Sequence, residues 1–107
     1  MGEIVGLRAS RYPDAPAHVT GPALSEWNRV AAVLSDRGDL DEAVLGTLES
    51  YCIQYGNWRA AAAHIDEFGP VVTEPRTGVP MANPHIAILN TSAALMLRLA
   101  RGLRVLP

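Results

Sequence analysis

The stretch Asp41–Phe68, DEAVLGTLESYCIQYGNWRAAAAHIDEF, decides the fold of this 107-residue chain. Its apolar residues recur at steps of 4 and 3, which is the spacing of one face of an α-helix. Asp41 is a suitable N-cap, and Gly69 and Pro70 end the pattern. The stretch therefore predicts one helix about 40 Å long, which a chain of this size cannot cover by itself. We call its apolar face the seam, and its residues are Val44, Leu48, Tyr51, Tyr55, Trp58, Ala62 and Ile65.

A shorter helix is predicted on each side of the central one. The first begins near Thr20 or Pro22 and ends near Gly38, where glycine permits a left-handed stop. The last opens at Asn83-Pro84, runs to about Arg101 and stops at Gly102. Apolar residues form two stripes on this last helix, so we expect it to be buried on two sides, in the core or in a subunit contact. One stripe is Ile86, Leu89, Ala93, Met96 and Ala100, and the other is Ile88, Leu95 and Leu99.

The remaining segments have little helical character. Residues 71–82 combine a β-prone start with a turn, and Pro80 restricts them to an edge strand. Residues 1–19 contain prolines and glycines without a helical period. The sequence thus predicts a mainly α protein of three helices with a long central helix. A short β-hairpin or extended excursion precedes the last helix, and the chain divides into an irregular arm (1–19) and a helical domain (20–107).

Composition excludes several classes of protein. All nine basic residues are arginine, and the absence of lysine excludes a Walker-type phosphate loop and lysine-based catalysis. The single cysteine excludes an internal disulfide and a cysteine-built zinc site. No uninterrupted apolar run approaches the roughly 20 residues of a membrane span, and the first residues do not resemble a secretory signal. We therefore predict neither a membrane segment nor a signal peptide.

Few residues are candidates for chemistry. His64 and Glu67 have the spacing of a histidine–carboxylate metal pair, but the sequence has no second pair, so an exposed polar face is favoured over a metal site. Cys52 lies beside the seam without a basic neighbour, which indicates a buried structural thiol. No acid–base pair or nucleophile motif is present. We predict no catalytic residues, no metal and no cofactor.

The end of the last helix is the main candidate for binding nucleic acid. Arg98, Arg101 and Arg104 recur every three residues. They could simply pair with the helix C-terminal dipole and solvent, or they could form a stripe that contacts phosphates. The arm adds two further basic residues, Arg8 and Arg11.

From His18 to Gly102 the chain resembles the small subunit of phage terminases. The resemblance rests on ordered motifs: GPALSEWNRVAAVL around Trp27, GDLD followed by LESYC, GPVV, the Asn83-Pro84 helix start and LMLRLARGL. It implies a non-catalytic subunit that forms rings, recognises viral double-stranded DNA and regulates the large terminase subunit in the cytoplasm of the bacterial host. It also implies DNA contacts near both ends of the chain, at Arg8, Arg11, Arg98, Arg101 and Arg104. The seam together with Ile88, Leu95 and Leu99 would form the core or the subunit contact.

Two other interpretations remain open. The net charge of -2 and the few basic residues of the arm favour a helical oligomerisation or protein-interaction module that never binds DNA. The weakest interpretation is a small enzyme or metal protein based on His64 and Glu67.

Overall fold

The computed structural model describes residues 12–105, which form three helices and one hairpin. The helices are α1 (Pro22–Asp36), α2 (Glu42–Phe68) and α3 (His85–Leu103). Strands β1 (Val71–Thr73) and β2 (Pro80–Ala82) pair antiparallel between α2 and α3, with Val72 opposite Met81. The predicted fold class is confirmed, including the long central helix and the hairpin before the last helix.

Most helix ends lie where the sequence predicts them. The Asp41 carboxylate accepts hydrogen bonds from the backbone N–H groups of Ala43 and Val44, at 2.9 and 3.2 Å, and so caps α2. Gly38 and Gly69 adopt φ values of 74° and 84°, a region that favours glycine, and end α1 and α2.

The end of α3 differs from the prediction. The helix continues through Gly102, and the left-handed residue is Arg104, with φ 59°. The guanidinium of Arg37 donates to the carbonyl oxygens of Arg104 and Leu103, at 2.8 and 3.3 Å. This cation occupies the negative end of the helix dipole and supplies partners for the last carbonyls. The prediction that Gly102 ends the helix is wrong because this contact from α1 extends the last turn.

The hydrophobic core lies where α1 crosses the N-terminal half of α2. Trp27, Val30 and Leu34 of α1 are buried together with Leu48 and Cys52 of α2. The Trp27 indole N–H donates to the carbonyl oxygen of Pro13, at 3.1 Å, which ties the preceding irregular segment to the core. From the same segment and from the end of α3, the core receives Tyr12, Val19, Ala100 and Leu103.

The helices α2 and α3 pack against each other as an antiparallel pair beyond this core. Only Ser92, Ala100 and Leu103 of α3 are buried. The second apolar stripe predicted for this helix is therefore only partly covered by residues 12–105: Leu95 and Leu99 are half-buried, and Ile88 is exposed. By length and composition alone, α3 would also suffice to cross a membrane, with a mean hydropathy of 1.3 over His85–Leu103. Polar and charged residues interrupt the apolar residues of this helix, so no uninterrupted apolar run marks it in the sequence. One such helix is weak evidence for a membrane segment.

Two glycines of α2 allow a matched test of this packing. A Cβ on Gly56 would lie 3.2 Å from the Cβ of Ala23, whereas one on Gly46 would meet nothing within 4 Å. We expect Gly46→Ala to raise the free energy of unfolding by up to about 1 kcal/mol through helix propensity. Gly56→Leu should lower it by about 1–3 kcal/mol because the larger side chain separates α1 from α2. Chemical denaturation of both variants at one protein concentration measures the effect, and equal stability of the two would contradict the close approach.

Candidate subunit and nucleic acid interfaces

Two open grooves flank the line along which α2 and α3 meet. We call the first the Leu97 groove; it has a volume of about 270 Å³ and an almost wholly apolar lining that includes Tyr51, Trp58 and Met96. The second, the Ile88 groove, has a volume of about 360 Å³ and adds polar Gln54, Asn57 and Thr91 to its apolar residues.

These grooves lie on opposite sides of α3. Ile88 and Leu97 are nine residues apart, which at 3.6 residues per turn places them about 180° apart around the helix axis. Both remain exposed, at 44% and 47%. A single helix therefore presents an apolar side chain on each flank of the α2–α3 pair, and neither flank is covered by the described chain.

The seam divides into a covered part and a partly covered part. Leu48 and Tyr51 are buried beneath α1, whereas Val44, Tyr55, Trp58 and Ile65 are only half-buried. Of the residues predicted to continue this contact on α3, Leu95 and Leu99 are half-buried and Ile88 is exposed. The covered part belongs to the core of the protomer, and of the other residues Trp58, Ile88 and Leu95 line the two grooves.

The predicted arginine stripe lies at the C-terminal end of α3. Arg98, Arg101 and Arg104 are all exposed, and none of them pairs with a carboxylate of residues 12–105. Asp39 of the α1–α2 connection lies at the same end, because it pairs at 3.0 Å with Arg37, which donates to the last carbonyl oxygens of α3. Arg8 and Arg11, the other two predicted DNA contacts, lie outside the described residues.

A buried carboxylate is the most unusual charged group in the described chain. Glu26 of α1 is 5% exposed. Its carboxylate accepts a hydrogen bond from the Tyr51 hydroxyl at 2.5 Å and forms a bidentate pair with the Arg29 guanidinium, at 2.7 and 2.9 Å. Burial alone would raise the pKa of Glu26, but the hydrogen bonds from Arg29 and Tyr51 outweigh it, and the pKa lies below its ordinary value. Both carboxylate oxygens of Glu26 accept hydrogen bonds from protein groups. It fastens α1 to α2 and has no open position for a substrate.

The neighbouring tyrosine and cysteine are also held in their neutral forms. Burial, together with the hydrogen bond to Glu26, raises the pKa of Tyr51 well above its usual range. Burial and the nearby Glu26 charge raise the pKa of the Cys52 thiol to about 12. A thiol in this state is a poor nucleophile at neutral pH. This agrees with the interpretation of Cys52 as a structural residue.

The candidate metal pair is not assembled as a ligand set. The ring nitrogen Nδ1 of His64 lies 3.1 Å from the side-chain amide nitrogen of Asn83, and the ring stacks on that of His85 with a centroid distance of 3.7 Å. Among residues 12–105 there is no group of three or more histidine, cysteine or acidic side chains that could hold a metal ion. His64 therefore serves as a packing and hydrogen-bonding residue at the base of the hairpin.

Sequence reasoning missed both polar clusters. Glu26 and Arg29 are three residues apart on α1, but their partner Tyr51 is distant in sequence. Asn83 was identified only as a helix cap, and its bonds to Gly69 and His64 depend on how α2 and α3 meet.

Taken together, these features define a class of protein: a small helical protein whose polar groups maintain its shape and whose described residues leave apolar side chains exposed on both flanks of α3. Comparison with known families identifies the family. A family model described as phage terminase, small subunit, matches residues 23–105, and the chain belongs to that family. No curated protein and no solved structure gives a significant match. Membership of this family, whose subunits are generally non-catalytic, implies a role in phage DNA packaging.

Replacing Tyr51 tests the buried carboxylate. Tyr51→Phe removes one of the donors to Glu26 and should lower the free energy of unfolding at neutral pH by about 1–3 kcal/mol. The native pKa of Glu26 lies below the unfolded value, so its stabilisation is present above about pH 4.5 and is lost as the pH falls through the native pKa. The variant should therefore lose less stability on acidification than the wild type.

Tyr55→Phe is the matched control because the Tyr55 hydroxyl accepts only an exposed bond from Arg59, at 2.9 Å. We expect that variant to change stability by less than about 0.5 kcal/mol. Denaturant titrations at several pH values measure both effects. An unchanged acid response in Tyr51→Phe would contradict the role assigned to this hydroxyl.

Proposed function

We propose that this chain is a small terminase subunit that assembles into a ring, binds viral double-stranded DNA and regulates the large terminase subunit in the cytoplasm of the bacterial host. Family membership supports the packaging role. The observation that carries the assembly is the pair of uncovered apolar grooves on opposite flanks of the α2–α3 pair.

Two different flanks suit a ring better than a two-fold dimer. A two-fold dimer uses the same patch on both partners, whereas a ring brings one patch of each subunit against a different patch of the next. The wholly apolar Leu97 groove and the more polar Ile88 groove differ in chemistry, as the two sides of such a contact do. Burying an exposed leucine or isoleucine contributes about 1.5–3 kcal/mol, so each flank offers substantial stabilisation on assembly.

Complementation of two variants tests the ring contact. Ile88→Asp and Leu97→Asp should each prevent higher assembly, because a buried unpaired charge opposes association. Each variant keeps one intact flank, so mixing the two should produce a heterodimer, which light scattering after gel filtration detects.

Leu24→Asp is the matched control: Leu24 is an exposed apolar residue of α1 that lines neither groove. It should leave the assembly unchanged, and circular dichroism checks that all three variants remain folded. Assembly of both groove variants at the wild-type size would contradict the proposed contact.

The DNA contact is assigned to the arginine end of α3. Three exposed arginines without carboxylate partners among the described residues can neutralise phosphates without first breaking an ion pair. Ring assembly would repeat this cluster in every subunit, so that many weak contacts act together.

Salt-dependent DNA binding tests this assignment. The combined replacement of Arg98 and Arg101 by Ala should weaken binding by similar factors on unrelated sequences. It should also reduce the slope of log affinity against log salt by roughly 0.9 for each lost phosphate contact.

Arg76→Ala is the control for charge, because Arg76 is 91% exposed at the hairpin, at the other end of the α2–α3 pair. That change should leave both affinity and slope close to the wild-type values. If Arg76→Ala reduces both as much as the double variant does, the contact does not lie at the end of α3.

The second candidate function is an assembly module that binds the large subunit but not DNA. The acidic residues beside the arginine end favour it, since Asp39 lies in the same surface hollow as Arg104. A stable complex with the large subunit, combined with no detectable binding to packaging-site DNA at low salt, would select this function over the first.

A further inference from the structure

One buried side chain joins the three elements that meet at the hairpin. Asn83 is 1% exposed, and its main-chain N–H donates to the carbonyl oxygen of Pro70 at 2.8 Å, which closes the base of the hairpin. Its side-chain amide lies 2.9 Å from the Gly69 oxygen at the end of α2 and 2.9 Å from the backbone nitrogen of His85 at the start of α3. The hairpin, α2 and α3 are therefore joined through the main chain and the side chain of this one residue.

The two backbone contacts fix the orientation of the Asn83 amide. A carbonyl oxygen can only accept a hydrogen bond, so the Asn83 group facing Gly69 is the Nδ2 amide. A backbone N–H can only donate, so the Asn83 group facing His85 is the Oδ1 oxygen.

The fixed amide assigns opposite tautomers to two histidines. Asn83 Nδ2 also faces His64 Nδ1 at 3.1 Å; since Nδ2 is a donor, His64 Nδ1 must be the unprotonated acceptor. Asn83 Oδ1 also faces His85 Nδ1 at 3.1 Å; since Oδ1 is an acceptor, His85 Nδ1 must carry a proton. His85 can therefore gain a second proton, on Nε2, without losing its bond to Asn83, whereas His64 cannot gain one without losing its bond.

From this asymmetry we propose that His64 is an acid-sensitive latch on the β-hairpin. Protonation of His64 Nδ1 places two donors face to face and removes one of the bonds that hold the Asn83 side chain. This loosens the base of the hairpin, while the bonds of Asn83 to Pro70, Gly69 and His85 remain. The stabilisation is present while His64 Nδ1 is unprotonated and is lost when that nitrogen gains a proton.

Two aromatic rings pack against His64. The His85 ring stacks on the His64 ring with a centroid distance of 3.7 Å and an interplanar angle of 13°. The centroid of the Phe68 ring lies 4.5 Å from that of the His64 ring. The nearest carboxylates along α2 are Asp66 and Glu67, and in the hairpin Glu74 pairs with Arg76 at 3.8 Å. No carboxylate of the described chain pairs with either ring.

The latch would change the position of the apolar surface of the hairpin. Val71, Val79 and Met81 are exposed on the hairpin that Asn83 anchors. Loosening the base of the hairpin would change the position of these side chains relative to α2 and α3. This device is separate from the α3 flanks and the arginine end, so it can be tested whether or not the chain binds DNA.

Hydrogen exchange of the full-length protein at pH 7.5 and 5.5 tests the latch, with labelling times corrected for the intrinsic pH dependence of exchange. In the wild type, the protection of residues 70–83 should fall about fivefold at pH 5.5, as expected for the loss of one hydrogen bond. The protection of α1 should stay unchanged, because Glu26 remains ionised at that pH.

Two asparagine variants separate the roles of the histidines. His64→Asn keeps an acceptor near the Nδ1 position but cannot gain a proton, so its hairpin should remain protected at both pH values. His85→Asn keeps a donor near its Nδ1 position and should respond to acid as the wild type does. The same acid response in His64→Asn as in the wild type, or no response in the wild type, would overturn the proposal.

A measurement without variants covers the case in which His64→Asn does not fold. Imidazole ¹⁵N spectra of the wild type at pH 7.5 should show the Nε2–H tautomer for His64 and a protonated Nδ1 for His85. The Nδ1–H tautomer at His64 would overturn the latch directly.

Discussion

The pairing of α2 with α3 is the constraint on which the rest of the structure depends. Two antiparallel helices can bury only the strip between them, and α1 covers only the N-terminal half of α2. The apolar residues on both flanks of α3 therefore stay uncovered by residues 12–105, with Ile88 on one side and Leu97 on the other. These flanks are the surfaces on which the proposed ring assembly depends.

Polar groups hold this helix pair in shape at defined points. Arg37 secures the end of α3 through two carbonyl oxygens, Asn83 secures its beginning, and the Glu26–Tyr51 bond fastens α1 across α2. In each case the charge or amide is satisfied by other protein groups. These clusters therefore define the geometry of the described part of the chain.

Local signals account for what could be predicted from the sequence. The period of the seam, the Asp41 cap and the left-handed glycines at 38 and 69 act within a few residues of their own positions, and they specified the helices correctly. Interactions between distant segments account for what was missed. The helix α3 ends beyond Gly102, where Arg37 of α1 donates to its last carbonyl oxygens. Asn83 joins α2 and α3 because the two helices meet at this residue. No spacing rule within one helix reveals such contacts.

Native mass spectrometry of the full-length protein at micromolar concentration tests the central claim most directly. If the flanks of the α2–α3 pair are subunit contacts, the spectrum should show one closed assembly of many subunits, with little monomer and without a ladder of open oligomers. A stable monomer under these conditions would contradict the account, because it would mean that the uncovered flanks of α3 do not need a neighbouring subunit.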